Sequence, residues 1–137
     1  MHPESQSREE DIAYLKEKAD AGCSFLTTQM FFDNALFYDF LDRARGAGIG
    51  VPVIPGVMPI TSKNQVERII FLSGSHLPSG LLSLIEKYGD DALSMKNAGI
   101  EYATKQIEDI FKNGVNYAHV YSMNKPEVAK AIKKNLF

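Results

Sequence analysis

Apolar positions along this chain follow two alternating rhythms, one of helical spacing and one of short unbroken runs. Glycine, proline or a capping side chain marks each change. Ser7-Arg8-Glu9-Glu10 has capping-box spacing, and Ile12, Leu15 and Ala19 then form a helical stripe that Gly22 closes. An apolar run from Phe25 into Thr27-Thr28-Gln29-Met30-Phe31-Phe32-Asp33 predicts a short buried strand with Gln29 and Asp33 at its exit. A helix follows over 34–47, with Leu36, Phe37, Phe40, Leu41 and Ala44 on one face and Gly46 and Gly48 at its end. Residues 51–57 are nearly all apolar, as in a buried parallel strand. Pro52 and Pro55 weigh against an ordinary central strand, because each removes a ladder donor. Thr61 or Ser62 caps a helix carrying Val66, Ile69, Ile70 and Ser73. Two more helices are predicted over 79–87 and 90–112, the longer with Ala92, Met95, Gly99, Tyr102, Ala103, Ile107 and Ile110 on a common side. Gly114 stops it, residues 117–121 make a third strand, and Asn124-Lys125-Pro126-Glu127 starts a last helix with Asn124 as cap.

The resulting order, α-β-α-β-α-α-α-β-α, predicts an α/β fold with a parallel sheet in a single domain over 1–137. Three strands alone leave two edges in need of partners. The composition, 45% hydrophobic and 23% charged over 137 residues, is that of an ordinary globular domain. The net charge of −2 comes from interspersed acids and bases, which points away from nucleic acid and acidic membranes. Lys125, Lys130, Lys133 and Lys134 fall on or near the final helix, where late lysines oppose its dipole. Cys23 is the only cysteine, so no internal disulfide or thiolate metal site is possible and a reducing compartment fits. With no stretch of membrane-spanning length and no visible signal peptide, the chain reads as cytoplasmic. Met1-His2-Pro3-Glu4 runs straight into a helix, as though an upstream element had been removed.

Candidate chemistry narrows quickly. His2, His76 and His119 are scattered, and no metal-ligand spacing or Gly-rich phosphate loop is present. Asp90 and Asp91 read as a helix cap. What remains lies at the strand exits: Gln29 and Asp33, Gln65, and Asn124 with Lys125. In βα sheets, ligands gather at the carboxyl ends of the strands. A neutral amide such as Gln29 both donates and accepts, which suits a heteroaromatic ligand, although a strand-end glutamine also serves as a local backbone cap. Asp33, Asn34 and Asn124 have the ordinary reading of helix caps, and Gln65 that of a solvated helix position. Lys125 opposes the dipole at a helix start and suits a carboxylate-bearing ligand.

Several of these segments together resemble the methylenetetrahydrofolate reductase family. The resemblance is carried by His2-Pro3-Glu4, Asp20-Ala21-Gly22, Thr28-Gln29-Met30-Phe31-Phe32-Asp33, Ala47-Gly48-Ile49, Ile54-Pro55-Gly56-Val57-Met58-Pro59 and Tyr121-Ser122-Met123-Asn124-Lys125. It implies a partial (β/α)₈ TIM barrel made of the last three βα units and the preceding helix. It also implies FAD as cofactor and NAD(P)H as donor, reducing 5,10-methylenetetrahydrofolate to 5-methyltetrahydrofolate. By position, His2, Ser5, Asp11, Tyr14 and Lys18 correspond to flavin contacts, with Glu17 where a basic residue is expected. Gln29, Gln65 and Lys125 correspond to substrate contacts, lysine keeping the charge of the family's arginine without its fork. Ile69 stands where some relatives have an aromatic residue against the folate. The family's first-strand glutamate acid has no counterpart here, so no catalytic residue is assigned. The expectation is a fragment that is inactive alone and binds FAD weakly or not at all, either as a homo-oligomer or with an N-terminal half. The alternative is a non-catalytic, self-associating or complementing half-barrel module.

Overall fold

The computed structural model describes residues 7–73 and 77–137. Its elements follow the predicted order: α1 (Arg8–Asp20), β1 (Leu26–Met30), α2 (Asn34–Gly46), β2 (Val53–Val57), α3 (Lys63–Ser73), α4 (Ser79–Tyr88), α5 (Ala92–Lys112), β3 (His119–Val120) and α6 (Pro126–Leu136). The boundaries have local causes. The Ser7 side chain accepts the Glu10 amide, Asp33 accepts that of Ala35, and Asp91 accepts those of Leu93 and Ser94. Gly22 and Gly114, with φ of 114° and 88°, take the left-handed turns that release the chain from α1 and α5.

One cap differs from expectation. Lys125, not Asn124, occupies the N-cap position of α6 and makes no side-chain capping bond. Asn124 lies one residue earlier, at φ 63°, where it is spent on a tight turn. This shifts Glu127 to the second helical position.

The sheet is parallel, in the order β1-β2-β3. The central strand therefore contains Pro55, and its neighbours accommodate the lost donor. Gly56 turns its N–H and C=O toward β1, while the Val57 carbonyl accepts from Tyr121 beyond β3. By alternation Pro55 faces the β3 side, and β3 pairs only from His119 onward, past the missing N–H. This accounts for a third strand of two residues where five were expected. β1 is half-buried rather than buried, because it lies at an edge.

Two apolar clusters hold these elements. Val57 packs with Ile100, Ala103, Ile107 and Ile110 of α5 and Val128 and Ile132 of α6. Phe32, Met58, Ile60, Ile69, Leu77, Leu81, Ile85 and Met95 form the second cluster, beyond the strand ends. Helix α5 approaches so closely at Gly99 that a Cβ there would collide with the Ile60 carbonyl. The opposite face carries Thr27, Ile54, Gly56 and His119 by register; Thr27 and His119 are exposed, Ile54 is half-buried and Gly56 is buried. Among the described residues, no helix is long and apolar enough to cross a membrane.

Candidate functional site

At its carboxyl end β1 departs from regular pairing. Leu26 and Thr27 pair with Val53 and Ile54, but Met30 pairs with Gly56, so Thr28 and Gln29 together oppose Pro55. This is a β-bulge, a device that re-aims side chains near binding sites. The Gly56 N–H donates to Thr28 Oγ1 at 2.9 Å, and that hydroxyl donates to the Gln29 carbonyl at 2.8 Å. Gln29 is exposed, and its side-chain amide has no partner among the described residues. The structure thus leaves Gln29 free rather than used as a backbone cap.

Tyr121 connects this end to the third strand. Its hydroxyl donates to the Thr28 carbonyl at 3.0 Å, and its backbone N–H to Val57 at 2.9 Å. The chain then turns through Ser122–Lys125, closed by a 3.0 Å bond from the Lys125 N–H to the Ser122 carbonyl. Met123 and Asn124 at its centre have φ of 50° and 63°. Left-handed backbone at a methionine costs on the order of 1 kcal/mol or more, and such strain collects at ligand sites. The turn delivers Lys125, half-buried, with Nζ 3.4 Å from Thr61 Oγ1. No carboxylate pairs with this cation among the described residues. Thr61 in turn donates its N–H to Gln65 Oε1 at 2.8 Å. Gln65 and Lys125, far apart in sequence, are therefore joined through one buried threonine. The Gln65 carbonyl is engaged in starting α3, and its NH₂ remains as a donor.

Helix α5 braces the exit of β1 from the other side. Tyr102 donates to the Phe32 carbonyl at 2.7 Å and Gln106 to the Phe31 carbonyl at 2.9 Å. Asn34 Nδ2 donates to the Gln106 carbonyl and to Asp109, each at 2.9 Å, and Tyr38 donates to Asp109 at 2.6 Å. Burial, then the Asp109 hydrogen bond and charge, push the Tyr38 hydroxyl up to about 12. The same bond, with that from Asn34, holds Asp109 below the usual carboxylate range. Burial and the Asp33 charge raise the Tyr102 hydroxyl.

The predicted flavin contacts are less well placed for enclosure. His2 and Ser5 lie outside the described residues. Asp11, Tyr14 and Lys18 share one face of α1, by their i, i+3, i+7 spacing, and Tyr14 is exposed. Among the described residues α1 buries none of its side chains, and exposed ion pairs from Arg8 and Glu9 to Asp39 and Arg43 help tie it to α2. This face presents the exposed Tyr14 ring and the exposed Lys18, and among the described residues α1 supplies no walls around a ring system. Cys23 is exposed, and Ile69 is buried in the second apolar cluster. No group of His, Cys, Asp and Glu side chains suited to a metal ion occurs among the described residues.

The arrangement thus brings Gln29, Gln65 and Lys125 to the carboxyl ends of three adjacent parallel strands. Sequence reasoning read Thr61 as a possible helix cap and assigned no part in the site to it or to Thr28, Gly56 and Tyr121, the residues that hold these side chains. Thr28, Gly56 and Tyr121 lie inside the motifs quoted above, which is the one signal that marked them.

Comparison with known proteins decides the family. The family model described as methylenetetrahydrofolate reductase matches residues 1–137. The chain belongs to the methylenetetrahydrofolate reductase family. It is 33% identical over 132 residues to 5,10-methylenetetrahydrofolate reductase of Escherichia coli, covering 96% of this chain and 45% of that protein. It is 34% identical over 131 residues to methylenetetrahydrofolate reductase (NADH) 1 of Arabidopsis thaliana, covering 96% of this chain and 22% of that one. A probable methylenetetrahydrofolate reductase (NADPH) of Caenorhabditis elegans is 36% identical over 138 residues, covering 98% and 20%. The chain therefore spans less than half the length of this bacterial relative and about a fifth of the plant and animal ones.

Proposed function

We propose that this chain is part of an FAD-dependent methylenetetrahydrofolate reductase, a piece of a (β/α)₈ barrel that carries one side of the substrate site. In this reading Gln29 meets the pterin of the folate and the nicotinamide of NAD(P)H in alternate half-reactions. Gln65 donates to the folate, and Lys125 meets its glutamyl carboxylates. The observation that carries the reading is the placement, beyond three neighbouring strands, of two amides with donors unused among the described residues and a lysine that meets no carboxylate among them. FAD, when bound, would carry the hydride. His2, Ser5, Asp11, Tyr14 and Lys18 are its proposed contacts, while this chain's substrate residues position the other reactant. No side chain here is assigned the proton-donor role, so the chain alone is inactive.

The outer edges of β1 and β3, which pair with no further strand among the described residues, support association with further polypeptide. The candidates are the remaining length that relatives possess, in the reducing cytoplasm, or a second copy of this chain. Two measurements test the reading. NADH–menadione and methylenetetrahydrofolate assays on the chain with added FAD are expected to show no turnover, and the visible spectrum little bound flavin. Turnover would overturn the claim of inactivity. A well-behaved monomer in sedimentation at high concentration would count against a second copy as the partner.

A further inference from the structure

We infer that Tyr121 is the positioning residue of Gln29, acting through the Thr28 carbonyl. The inference rests on the reading of Gln29 as a ligand-facing amide. Its physical basis is how the two peptide planes flanking Gln29 are fixed. Regular pairing with the neighbouring strand resumes only at Met30, opposite Gly56. Here the Thr28–Gln29 plane is held by the Tyr121 hydroxyl at 3.0 Å, and the Gln29–Met30 plane by Thr28 Oγ1 at 2.8 Å. Thr28 Oγ1 is anchored in turn by the Gly56 N–H at 2.9 Å. Two hydroxyls, together with the pairing of Met30 opposite Gly56, therefore set the direction in which Gln29 leaves the strand.

Tyr121 is itself immobilised on three sides, as such a role requires. Its backbone is bonded to Val57, and its ring stands edge-on to His119, with centroids 4.5 Å apart at 75°. The ring also crosses Gly56, where an added Cβ would lie 2.6 Å from Tyr121 Cε2. A glycine at that point is what lets the ring reach β1. Phenylalanine would fill the same space and keep the ring contacts, so the hydroxyl is the part that packing does not explain. Tyr121 also stands immediately before the Ser122–Lys125 turn.

The test uses the full 137-residue chain without ligand, so its outcome is separate from whether Gln29 binds anything. In ¹⁵N NMR spectra, Tyr121→Phe is expected to move the Gln29 side-chain amide and to change the Gln29 backbone φ coupling. Amides of α5 and α6 should stay in place and the denaturation midpoint should change little. Thr28→Val should move the same Gln29 signals and speed Gly56 amide exchange by roughly two- to tenfold, the size of one net hydrogen bond. Thr28→Ser should restore both. Gln29 signals unmoved in Tyr121→Phe, or moved only as part of a change spread evenly over all strands, would overturn the assignment. So would Thr28→Val spectra in which Gln29 is undisturbed, an outcome that decides the matter even if Tyr121→Phe fails to fold.

Discussion

Val53, Pro55 and Val57 are buried on the helix-covered face of the sheet, with Val57 packed against α5 and α6, whereas Thr27 and His119 on the other face are exposed. The covered face is held by close apolar packing of Val57 against Ile100, Ala103, Ile107 and Ile110 of α5 and Val128 and Ile132 of α6. The strand ends above the other face are held by hydroxyls, amides and one tight turn. Packing of the first kind is unforgiving of volume but indifferent to hydrogen-bond chemistry. The second kind depends on hydrogen-bond chemistry as well as on close approach at Gly56, which is what a site needs if polar side chains are to point outward in fixed directions.

Substitutions that strike one region and spare the other sharpen this contrast. The largest effect is expected from Gly99→Ala, which drives a Cβ into the Ile60 backbone carbonyl, an atom with no rotamer to yield. Destabilisation of about 3 kcal/mol or more in urea unfolding is expected. Gly56→Ala follows, since its Cβ would sit 2.6 Å from the Tyr121 ring and 2.7 Å from the Thr28 carbonyl. A loss of roughly 1–3 kcal/mol is expected, with chemical-shift changes concentrated at Thr28, Gln29 and Tyr121.

Titration comes next. The Tyr38 hydroxyl is raised from 10.0 to about 12, so folding favours its neutral form. The associated stability is complete below pH 10 and declines as the pH rises from 10 to 12. Absorbance titration should show one tyrosine ionising near pH 12, and Asp109→Asn should bring it part of the way back. Asp109 has the opposite sign. Its lowered carboxyl contributes stability above its unfolded value of 3.8, which is lost as the pH falls through the folded value. The smallest effect belongs to Arg43→Ala, which removes exposed pairs at 3.0 Å to Asp39 and 3.8 Å to Glu9. It should cost roughly 0.5 kcal/mol or less, and still less at high salt.

Much of this organisation was legible in the sequence. Helix starts and stops were marked by Ser7, Gly22, Asp33, Asp91 and Gly114, whose capping or backbone roles are local and need no tertiary information. Two of the misjudged features depend on the course of the chain rather than on the helical pattern itself. Asn124 reads as a cap because nothing nearby shows that the chain must first reverse through a left-handed pair. The third strand is short because Pro55, on a different strand, withholds a donor. The site was legible in part: Gln29, Gln65 and Lys125 stand out by type and position. Their supports were not, since Tyr121 reaches Thr28 across 93 residues and a hydroxyl's partner at that separation leaves no trace in local pattern. The α1 stripe of Ile12, Leu15 and Ala19 is only half covered, so its amphipathic signal overstated its burial.

The central claim is that Gln29, Gln65 and Lys125 form one side of a folate-binding site. Titration of the ¹⁵N-labelled chain with 5-methyltetrahydrofolate tests it most directly. Weak, saturable shifts centred on the Gln29 and Gln65 side-chain amides and on the Ser122–Lys125 turn are the predicted result, abolished by Gln29→Ala. Shifts centred elsewhere, or a spectrum that the ligand leaves unchanged, would contradict it.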